Sequence, residues 1–563
     1  MTDVGSSSFE LVAGSRLEVT DNFTLKTRTF ELTRLLSGNV VSKADIEANP
    51  VSTKPLVIVW RVIEVLANGE QGEEFVIKFY NPERTVVRSI GSTEGTSLGN
   101  LDINFFFDQE IYINTQIKGT QDVVKIIGDG TVRGMYETRA DGVAVDSEPI
   151  RKFVIQSTSK GSWDLLVFIR LFNVLFPNVR PKCIQLAQLK VVVDMCKALD
   201  KLHRKQVYHQ DIKPENVVVG SPFKSKLENI IPEWNARFGT SWTMDQVTNP
   251  ERFDDDIARL VVPDDAKQGW KVGRVTNFLM ITAVLVYLTS KQSGLDLEVF
   301  DNQATDWVRE RLDQVETLVI DIDRSRSIND IEDLFDIGSD GTPQYTDPWI
   351  MYSFGKIDEY PFSTSTPQQR IRAAMMGYDY WSMGMTIFEL INGFNFLQPE
   401  TDEAIAMAAL KGLKTDEEVD EVLKDLKKKI NLALGDLDID VSEASLGKYK
   451  RKVKKTQQRV TKEKEISFYT VIMFAETLPR TVEGVPKYFD LIGLLSQVTR
   501  GSVGFITNGS EEYWRFAEHL MSIDISSRFN EVVDGEDKLR TLDVVVENLT
   551  AKLKNSVPMD RTP

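Results

Sequence analysis

Three polar side chains at short offsets are the residues of this sequence best suited to chemistry. Asp211, Lys213 and Asn216 stand close together, directly before the apolar, β-branched run 217–219. A carboxylate can accept the proton of an attacking hydroxyl, a lysine can offset developing negative charge, and an amide oxygen can bind a cation. The bland alternative is a polar turn between a helix and a buried strand, because such turns use the same residue types.

The segment around these residues resembles the catalytic loop of protein kinases. At roughly 5% per residue type, a match at six specified positions recurs by chance at about 10⁻⁸ per starting point. The resemblance implies that Asp211 takes the proton of the incoming hydroxyl, Lys213 stabilises the moving phosphoryl group and Asn216 holds Mg²⁺. Lys213 followed by Pro-Glu-Asn is similar to the Ser/Thr branch of the family. The matching residues are His209, Asp211, Lys213, Pro214, Glu215 and Asn216.

Elements that precede this loop must supply the nucleotide-binding groups. Alternating apolar and polar residues between positions 30 and 80 predict three strands in an antiparallel meander. The third strand contains Val-Ile-Lys ending at Lys78, which resembles the kinase strand whose Lys contacts the α- and β-phosphates of ATP. We expect Glu110 to be its partner, because Glu110 lies among apolar residues at helical spacing. An exposed edge lysine and a surface carboxylate are the ordinary alternatives.

The phosphate-binding loop is the weakest part of the resemblance. Kinases cover the phosphates with Gly-x-Gly-x-x-Gly, whose bare backbone lets amides approach closely. This chain offers only Ser37-Gly38-Asn39 in that place, so Ser37 and Gly38 are the candidate phosphate contacts. Further on, Gln156 and Thr158 resemble the segment whose backbone binds the adenine edge. The sparse glycine loop also fits a catalytically inactive pseudokinase that acts as a scaffold or interaction protein.

Later motifs extend the resemblance. An apolar strand ending in Asp321 resembles the metal-binding Asp-Phe-Gly, with Asp323 where glycine is usual, so Asp321 is the second expected Mg²⁺ ligand. The Gly-Thr-Pro-x-Tyr motif is similar to the family's peptide platform, in which Thr342 would bond the catalytic Asp and Lys. Asp379 is expected to cap an Asp-x-Trp-Ser-x-Gly helix and to brace the catalytic loop. Gln210 replaces an Arg that pairs with a loop phosphate, which implies that loop phosphorylation is not the switch.

Composition narrows the classes of partner and compartment. The 563 residues are 42% hydrophobic and 27% charged, as in ordinary globular proteins. A net charge of −17 argues against a general binder of nucleic acid or anionic membranes. Two cysteines predict no disulfide-linked partner and favour a reducing, intracellular and cytoplasmic environment, with nucleus and virion left open. The chain begins without a signal-peptide pattern, and its longest apolar run, 278–288, is too short to span a bilayer.

The resemblance to protein kinases implies an α+β, bilobal protein-kinase-like fold with a β-rich N-lobe and a helical C-lobe that carries inserted helical segments. The expected function is transfer of the γ-phosphate of ATP to Ser/Thr hydroxyls of protein substrates, with ATP and Mg²⁺ as cofactors. A pseudokinase is the main alternative, and a small-molecule kinase is disfavoured by the peptide-platform motif. The expected division is an N-terminal extension (1–28), an N-lobe (29–156), a C-lobe (157–540) with insertions at 221–315 and 402–465, and a tail (541–563).

Overall fold

In the computed structural model, the described residues form a sheet-rich part followed by a helix-rich part. The predicted mixed α+β architecture is confirmed at this level. Gly38, the expected insertion 402–465 and the expected tail 541–563 lie outside the described residues. The described residues are 2–3, 9–10, 13–20, 27–37, 57–80, 85–88, 98–120, 122–135, 150–176, 180–250, 275–330, 342, 345, 347 and 366–392.

Most of the early strands join one curled, largely antiparallel sheet, whose order among the described residues is β1-β9-β10-β6-β5-β4-β3, with β2 also paired to β9. The predicted meander is confirmed in β4, β5 and β6. The strands are β1 (Thr2–Asp3), β2 (Phe9–Glu10), β3 (Arg16–Thr20), β4 (Thr27–Ser37), β5 (Val57–Val65), β6 (Gln71–Tyr80), β7 (Thr85–Arg88), β8 (Leu98–Asp102), β9 (Ile126–Met135), β10 (Ile150–Ser157), β11 (Lys160–Asp164), β12 (Val207–Tyr208), β13 (Val217–Ser221), β14 (Glu316–Val319) and β15 (Arg326–Ser327).

The stretch expected to be an N-terminal extension contains β3, which pairs along its whole length with β4. The physical reason is a short period-two alternation in which Leu17 and Val19 point into the sheet core while their neighbours stay polar. Five residues of alternation are a weak signal in a Ser/Thr-rich segment, so composition alone hides this strand.

Alternation along β6 places Lys78 on a different face from the main sheet core. Ile77 and Phe79 pack with Trp60 and other apolar residues on one face. Tyr80, two residues beyond Lys78, packs with Phe107 of the helix α1 (Ile103–Gln116) on the other face. Because Lys78 shares the face of Tyr80, it is directed towards the helix that carries Glu110.

Both helices predicted for this region are present in the helix-rich part. The predicted amphipathic helix near 186–202 is α3 (Lys182–Arg204), and the predicted buried helix at 278–288 is α6 (Phe278–Ser290), whose side chains from Phe278 to Thr289 are all buried. Cys183 and Cys196 both lie buried as free thiols in α3. None of the described helices is long and apolar enough to cross a membrane. The helices are α2 (Leu165–Leu175), α3 (Lys182–Arg204), α4 (Ile230–Phe238), α5 (Met244–Thr248), α6 (Phe278–Ser290), α7 (Leu297–Arg309) and α8 (Pro367–Asn392).

One helix boundary differs from the sequence-based expectation. Asp379 was expected at the start of its helix, but α8 begins at Pro367 and Asp379 lies in its interior. Thr366 caps this helix instead, because its hydroxyl accepts from the backbone of Gln369 (3.3 Å) and the Gln369 side chain accepts from the backbone of Thr366 (2.9 Å). The capping part of the Asp379 prediction is therefore wrong.

We expect Trp234→Ala to destabilise the protein by about 3–5 kcal/mol, because a large buried side chain leaves a cavity. Trp234 is fully buried between Phe238 and Trp307, with ring centroids at 4.2 and 5.0 Å. Urea unfolding followed by circular dichroism measures the change. Leu297→Ala is the control, since Leu297 is 58% exposed and should change stability by less than about 0.5 kcal/mol. Equal effects of the two substitutions would contradict the burial of Trp234.

Candidate functional site

The polar loop predicted to do chemistry lies between α3 and β13, in the interior of the molecule. The chain leaves α3, forms β12, and passes through a 3₁₀ turn at Pro214–Asn216 before entering β13. β12 pairs with β15 and β13 pairs with β14, so both ends of the loop are tied to the segment that contains Asp321. The loop is consequently fixed by tertiary pairing as well as by its own turns.

Asp379 holds the backbone at the start of this loop. Its two carboxylate oxygens accept from the backbone N–H groups of His209 (2.9 Å) and Gln210 (2.7 Å). Gln210 has a φ of 61°, a left-handed conformation that costs free energy in a residue other than glycine. His203 Nε2 lies 2.8 Å from the same carboxylate. The predicted bracing role of Asp379 is thus confirmed, although the residue sits inside a helix.

Asp211 is the centre of the first cluster of predicted site residues. Its side chain is almost fully buried, and its Oδ2 lies 2.9 Å from Lys213 Nζ and 3.0 Å from Asn216 Nδ2. Its Oδ1 accepts from the backbone N–H (2.9 Å) and the hydroxyl (2.7 Å) of Thr342. Lys213 Nζ also donates to the Thr342 hydroxyl at 2.7 Å. Both oxygens of the carboxylate are therefore oriented by neighbours on two separate segments.

Lys78 is the centre of the second cluster. Its ammonium, on a residue only 6% exposed, lies 3.1 Å from Glu110, 2.6 Å from Asp321 and 3.3 Å from Asp323. Burial favours neutral lysine, but the three carboxylates outweigh it and raise the pKa of Lys78 well above its usual value. Lys78 therefore stays charged, and the predicted Lys78–Glu110 pair is present in the structure.

Glu110 is fully buried and receives hydrogen bonds from two further side chains. The hydroxyl of Tyr80 donates to one carboxylate oxygen and the amide of Gln156 donates to the other. Burial raises the pKa of Glu110, and the nearby Lys78 opposes that rise. The resemblance predicts that the backbone near Gln156 binds an adenine ring. In the structure, the Gln156 side chain donates a hydrogen bond to Glu110. Tyr80 could have been found from its position two residues beyond Lys78 on the same strand face.

The segment Ile320–Arg324 joins the two clusters. Ile320 N donates to the Asn216 carbonyl at 2.9 Å, and His209 Nε2 lies 2.9 Å from the Ile320 carbonyl. Burial opposes the ionisation of Asp321, but Lys78, Lys213 and Arg324 lower its pKa far below the usual range. Because Lys78 and Lys213 both act on the Asp321 carboxylate, the two clusters share one electrostatic environment.

Asp323, which stands where the resemblance predicts glycine, adds a third carboxylate around Lys78. Burial, followed by repulsion from Asp321, raises the pKa of Asp323 to about 7. Its Oδ1 is buried and has no hydrogen-bond partner among the described residues. Sequence reasoning noted the substitution but not this contact with Lys78. The two clusters together contain four carboxylates (Glu110, Asp211, Asp321 and Asp323) against the cations of Lys78, Lys213 and Arg324, so the site carries excess negative charge when all four carboxylates are ionised.

Of the remaining predicted contacts, Thr158 is not bonded to either cluster. Thr158 lies in the connection between β10 and β11, and its hydroxyl is 2.6 Å from the hydroxyl of Ser162. The backbone N–H of Ser157 is already used, because it donates to the Lys125 carbonyl at 2.8 Å. The backbone of Ser37 ends β4 opposite Val59 of β5. The structure therefore brings together the two charged clusters but does not link them to Thr158.

Asn216 and Asp321 have donor atoms suited to Mg²⁺. The amide nitrogen of Asn216 is committed to Asp211, which leaves the amide oxygen as the atom that a cation can bind. Mg²⁺ usually takes one or two carboxylates and completes its shell with water and phosphate oxygens. No group of three or more His, Cys, Asp or Glu residues in the described part of the chain has metal-site geometry. The Asn216 amide oxygen and the Asp321 carboxylate are a smaller set of ligands than such a group, and they still match the preference of Mg²⁺ for few protein oxygens.

Comparisons with known proteins give no family for this chain. No protein-family model matches it, and no curated protein does so at a significant level. Function must therefore be inferred from the geometry of the two clusters and from the motif resemblance that predicted them.

Removing the Lys78 ammonium should destabilise the protein through the second cluster, whose three carboxylates it contacts. We expect Lys78→Met to cost about 3–5 kcal/mol of unfolding free energy, because it leaves buried carboxylates without a partner. In the same background, Glu110→Gln should recover part of that loss, since it removes one of the uncompensated charges. A double-mutant cycle from urea unfolding measures the coupling. Strictly additive effects would contradict a direct Lys78–Glu110 interaction.

A second test concerns Asp164, the N-cap residue of α2. Asp164 caps α2 by accepting from Val167 N (3.0 Å), and burial raises its pKa to about 6 from the model-compound 3.8. Because the folded state binds this proton more tightly, the ionised carboxyl opposes folding increasingly as pH rises from about 4 to 6. Asp164→Asn keeps the cap and should gain on the order of 3 kcal/mol relative to wild type as the pH rises through that interval, at about 1.4 kcal/mol per pKa unit.

Urea unfolding at several pH values measures this difference. Asp164→Ala serves as the control: it also removes the carboxyl, so its stability should change with pH as that of Asp164→Asn does, but it should lie about 1 kcal/mol lower at every pH because the cap is lost. A gain for Asp164→Asn that does not change with pH would contradict the raised pKa.

Proposed function

We propose that this chain is an ATP- and Mg²⁺-dependent protein kinase that transfers the γ-phosphate to Ser/Thr hydroxyls, with a bilobal kinase-like fold. The observation that carries the proposal is the convergence of six predicted polar side chains in two bonded clusters, which the segment 320–324 joins. These side chains come from four separate stretches of the chain, and the motif resemblance predicts a role for each. They are Lys78, Glu110, Asp211, Lys213, Asn216 and Asp321.

Charge in the site favours a polyanion held together with a divalent cation. Three carboxylates surround Lys78, and Asp323 has a buried oxygen without a partner among the described residues. A divalent cation on Asn216 and Asp321 would offset the excess negative charge. When bound there, Mg²⁺ would neutralise charge on the phosphate oxygens of ATP.

The residues of the first cluster are suited to activating a hydroxyl. Asp211 is oriented through both carboxylate oxygens, so it can align a substrate hydroxyl and accept its proton. Lys213 bridges Asp211 and Thr342, which puts a positive charge where the transferred phosphoryl group would gain negative charge. Thr342 belongs to the expected peptide platform and would couple substrate binding to the position of Asp211. Positioning and charge stabilisation would supply most of the rate.

A catalytically inactive scaffold is the second candidate. The observation that favours it is the crowding of Lys78 by Asp321 and Asp323, because a lysine held by three carboxylates is less available to phosphates. Such a protein would still melt at a higher temperature with Mg-ATP if it binds nucleotide, but it would transfer no phosphate to any protein substrate.

We expect Asp211→Asn to lower γ-phosphate transfer by about 10²–10⁴-fold, since it removes the proton acceptor while keeping the shape of the side chain. Transfer of radiolabelled γ-phosphate to a panel of Ser/Thr proteins measures the rate. The Mg-ATP-dependent rise in melting temperature should persist in the variant. Glu298→Gln, an exposed substitution on α7, is the control and should leave both quantities unchanged. If wild type shows neither phosphate transfer nor a Mg-ATP-dependent rise in melting temperature, the proposal that this chain is a kinase is rejected.

A further inference from the structure

The connection from the sheet to the helices is held by residues far away in sequence. Between β10 and α2, the carbonyl of Gly161 accepts from the Thr276 hydroxyl (2.9 Å) and from the Asn277 side-chain amide (3.0 Å). The indole N–H of Trp163 donates to the same Thr276 hydroxyl at 2.9 Å. A single hydroxyl at the start of α6 therefore fixes two residues of the connection.

Gly161 is required for this close approach. Its φ is +60°, and a Cβ at this position would lie 2.1 Å from the Thr276 carbonyl oxygen. Any other residue would force the connection away from the segment that leads into α6. The backbones of Gly161 and Thr276 are thus in direct contact, in addition to the side-chain hydrogen bonds between the two segments.

Three strands of the sheet, β4, β5 and β6, hold the same connection from the other side. Glu74 accepts from the Gly161 backbone N–H at 3.1 Å, and Arg61 donates to the Ser162 carbonyl. The guanidinium of Arg34 stacks on the Trp163 ring, 4.1 Å from its centroid. The connection is therefore clamped between the sheet and the start of α6.

Asn277 extends the clamp to the strand that follows the polar loop. Its side-chain oxygen caps α6 through Met280 N (3.0 Å), while its amide nitrogen reaches the Gly161 and Val219 carbonyls (3.0 and 3.4 Å). Val219 lies in β13, which begins directly after Asn216. The start of α6 thus touches both the connection and the end of the site loop.

We propose that Thr276 and Asn277 are positioning residues for nucleotide binding, which fix the connection that would receive the base of a purine nucleotide. The inference rests on the proposed kinase function. Thr158 lies in this connection, and its turn is closed by the Thr158–Ser162 hydroxyl pair (2.6 Å) and by Ser162 N donating to the Ser159 carbonyl (3.2 Å). A connection ordered before binding costs less free energy to order upon binding, so loss of the clamp should weaken affinity.

The test compares the same substitution at the two ends of α6. Thr276→Val keeps the shape of the side chain but removes the hydroxyl bonded to Gly161 and Trp163. Thr289→Val is the matched control, because the Thr289 hydroxyl accepts from the indoles of Trp234 (3.2 Å) and Trp242 (3.0 Å), away from the connection. Dissociation constants for Mg-ATP are measured by isothermal titration calorimetry, with KM and kcat for phosphate transfer alongside.

Thr276→Val should raise the dissociation constant and KM for Mg-ATP about five- to tenfold while kcat changes less than twofold. Thr289→Val should leave the dissociation constant and KM within twofold of wild type, even if it lowers the melting temperature as much as Thr276→Val does. Thr276→Ser, which keeps the hydroxyl, should have wild-type affinity. Wild-type affinity in Thr276→Val, or equal weakening in both Val variants, would overturn the positioning role alone. Failure of wild type to bind Mg-ATP would instead overturn the proposed function and this inference with it.

Discussion

The buried ammonium of Lys78 is the interaction on which the rest of the site depends. Removing a charge from water is costly unless opposite charges surround it, so Lys78 requires its carboxylates in place. Those carboxylates come from α1 and from the segment after β14, while Lys78 itself comes from β6. One charge requirement therefore fixes the relative positions of the sheet, the helix packed on it and the segment that leads back to the polar loop.

The first cluster, around Asp211, is fixed by hydrogen bonds to the loop backbone and not by a shared buried cation. Asp379 accepts from two consecutive N–H groups of the loop, and the Asn216 carbonyl accepts from Ile320. Asp379 lies in the interior of α8, so helix on both sides of it fixes the position of its carboxylate against the loop backbone. Rigid elements hold a constellation more closely than loops do, and both clusters are mounted on such elements.

Sequence reasoning recovered the charged core of the site because short motifs place residue types at fixed offsets. The motifs predict roles for Lys78, Asp211 and Thr342, and each of these residues lies in one of the two clusters. Sequence reasoning did not find contacts that depend on long-range packing, such as the hydrogen bond from the Gln156 side chain to Glu110 and the bonds that hold Gly161. The strand β3 and the early start of α8 were missed because their local signals are short compared with the surrounding composition.

Two strained backbone positions bear on whether the site was selected for chemistry or for support. Gln210 and Asp321 have φ values of 61° and 65°, left-handed conformations that cost about 1–3 kcal/mol each outside glycine. Glycine at either position would relieve the strain, so a scaffold selected for stability alone gains nothing from keeping these residues. Gln210 immediately precedes Asp211, and Asp321 is itself the contact to Lys78. Asp122 and Gln206 are also left-handed, so the strain is not confined to the site; two of the four such residues in the described part of the chain nevertheless present the carboxylates of Asp211 and Asp321 on which the proposed phosphoryl transfer would depend.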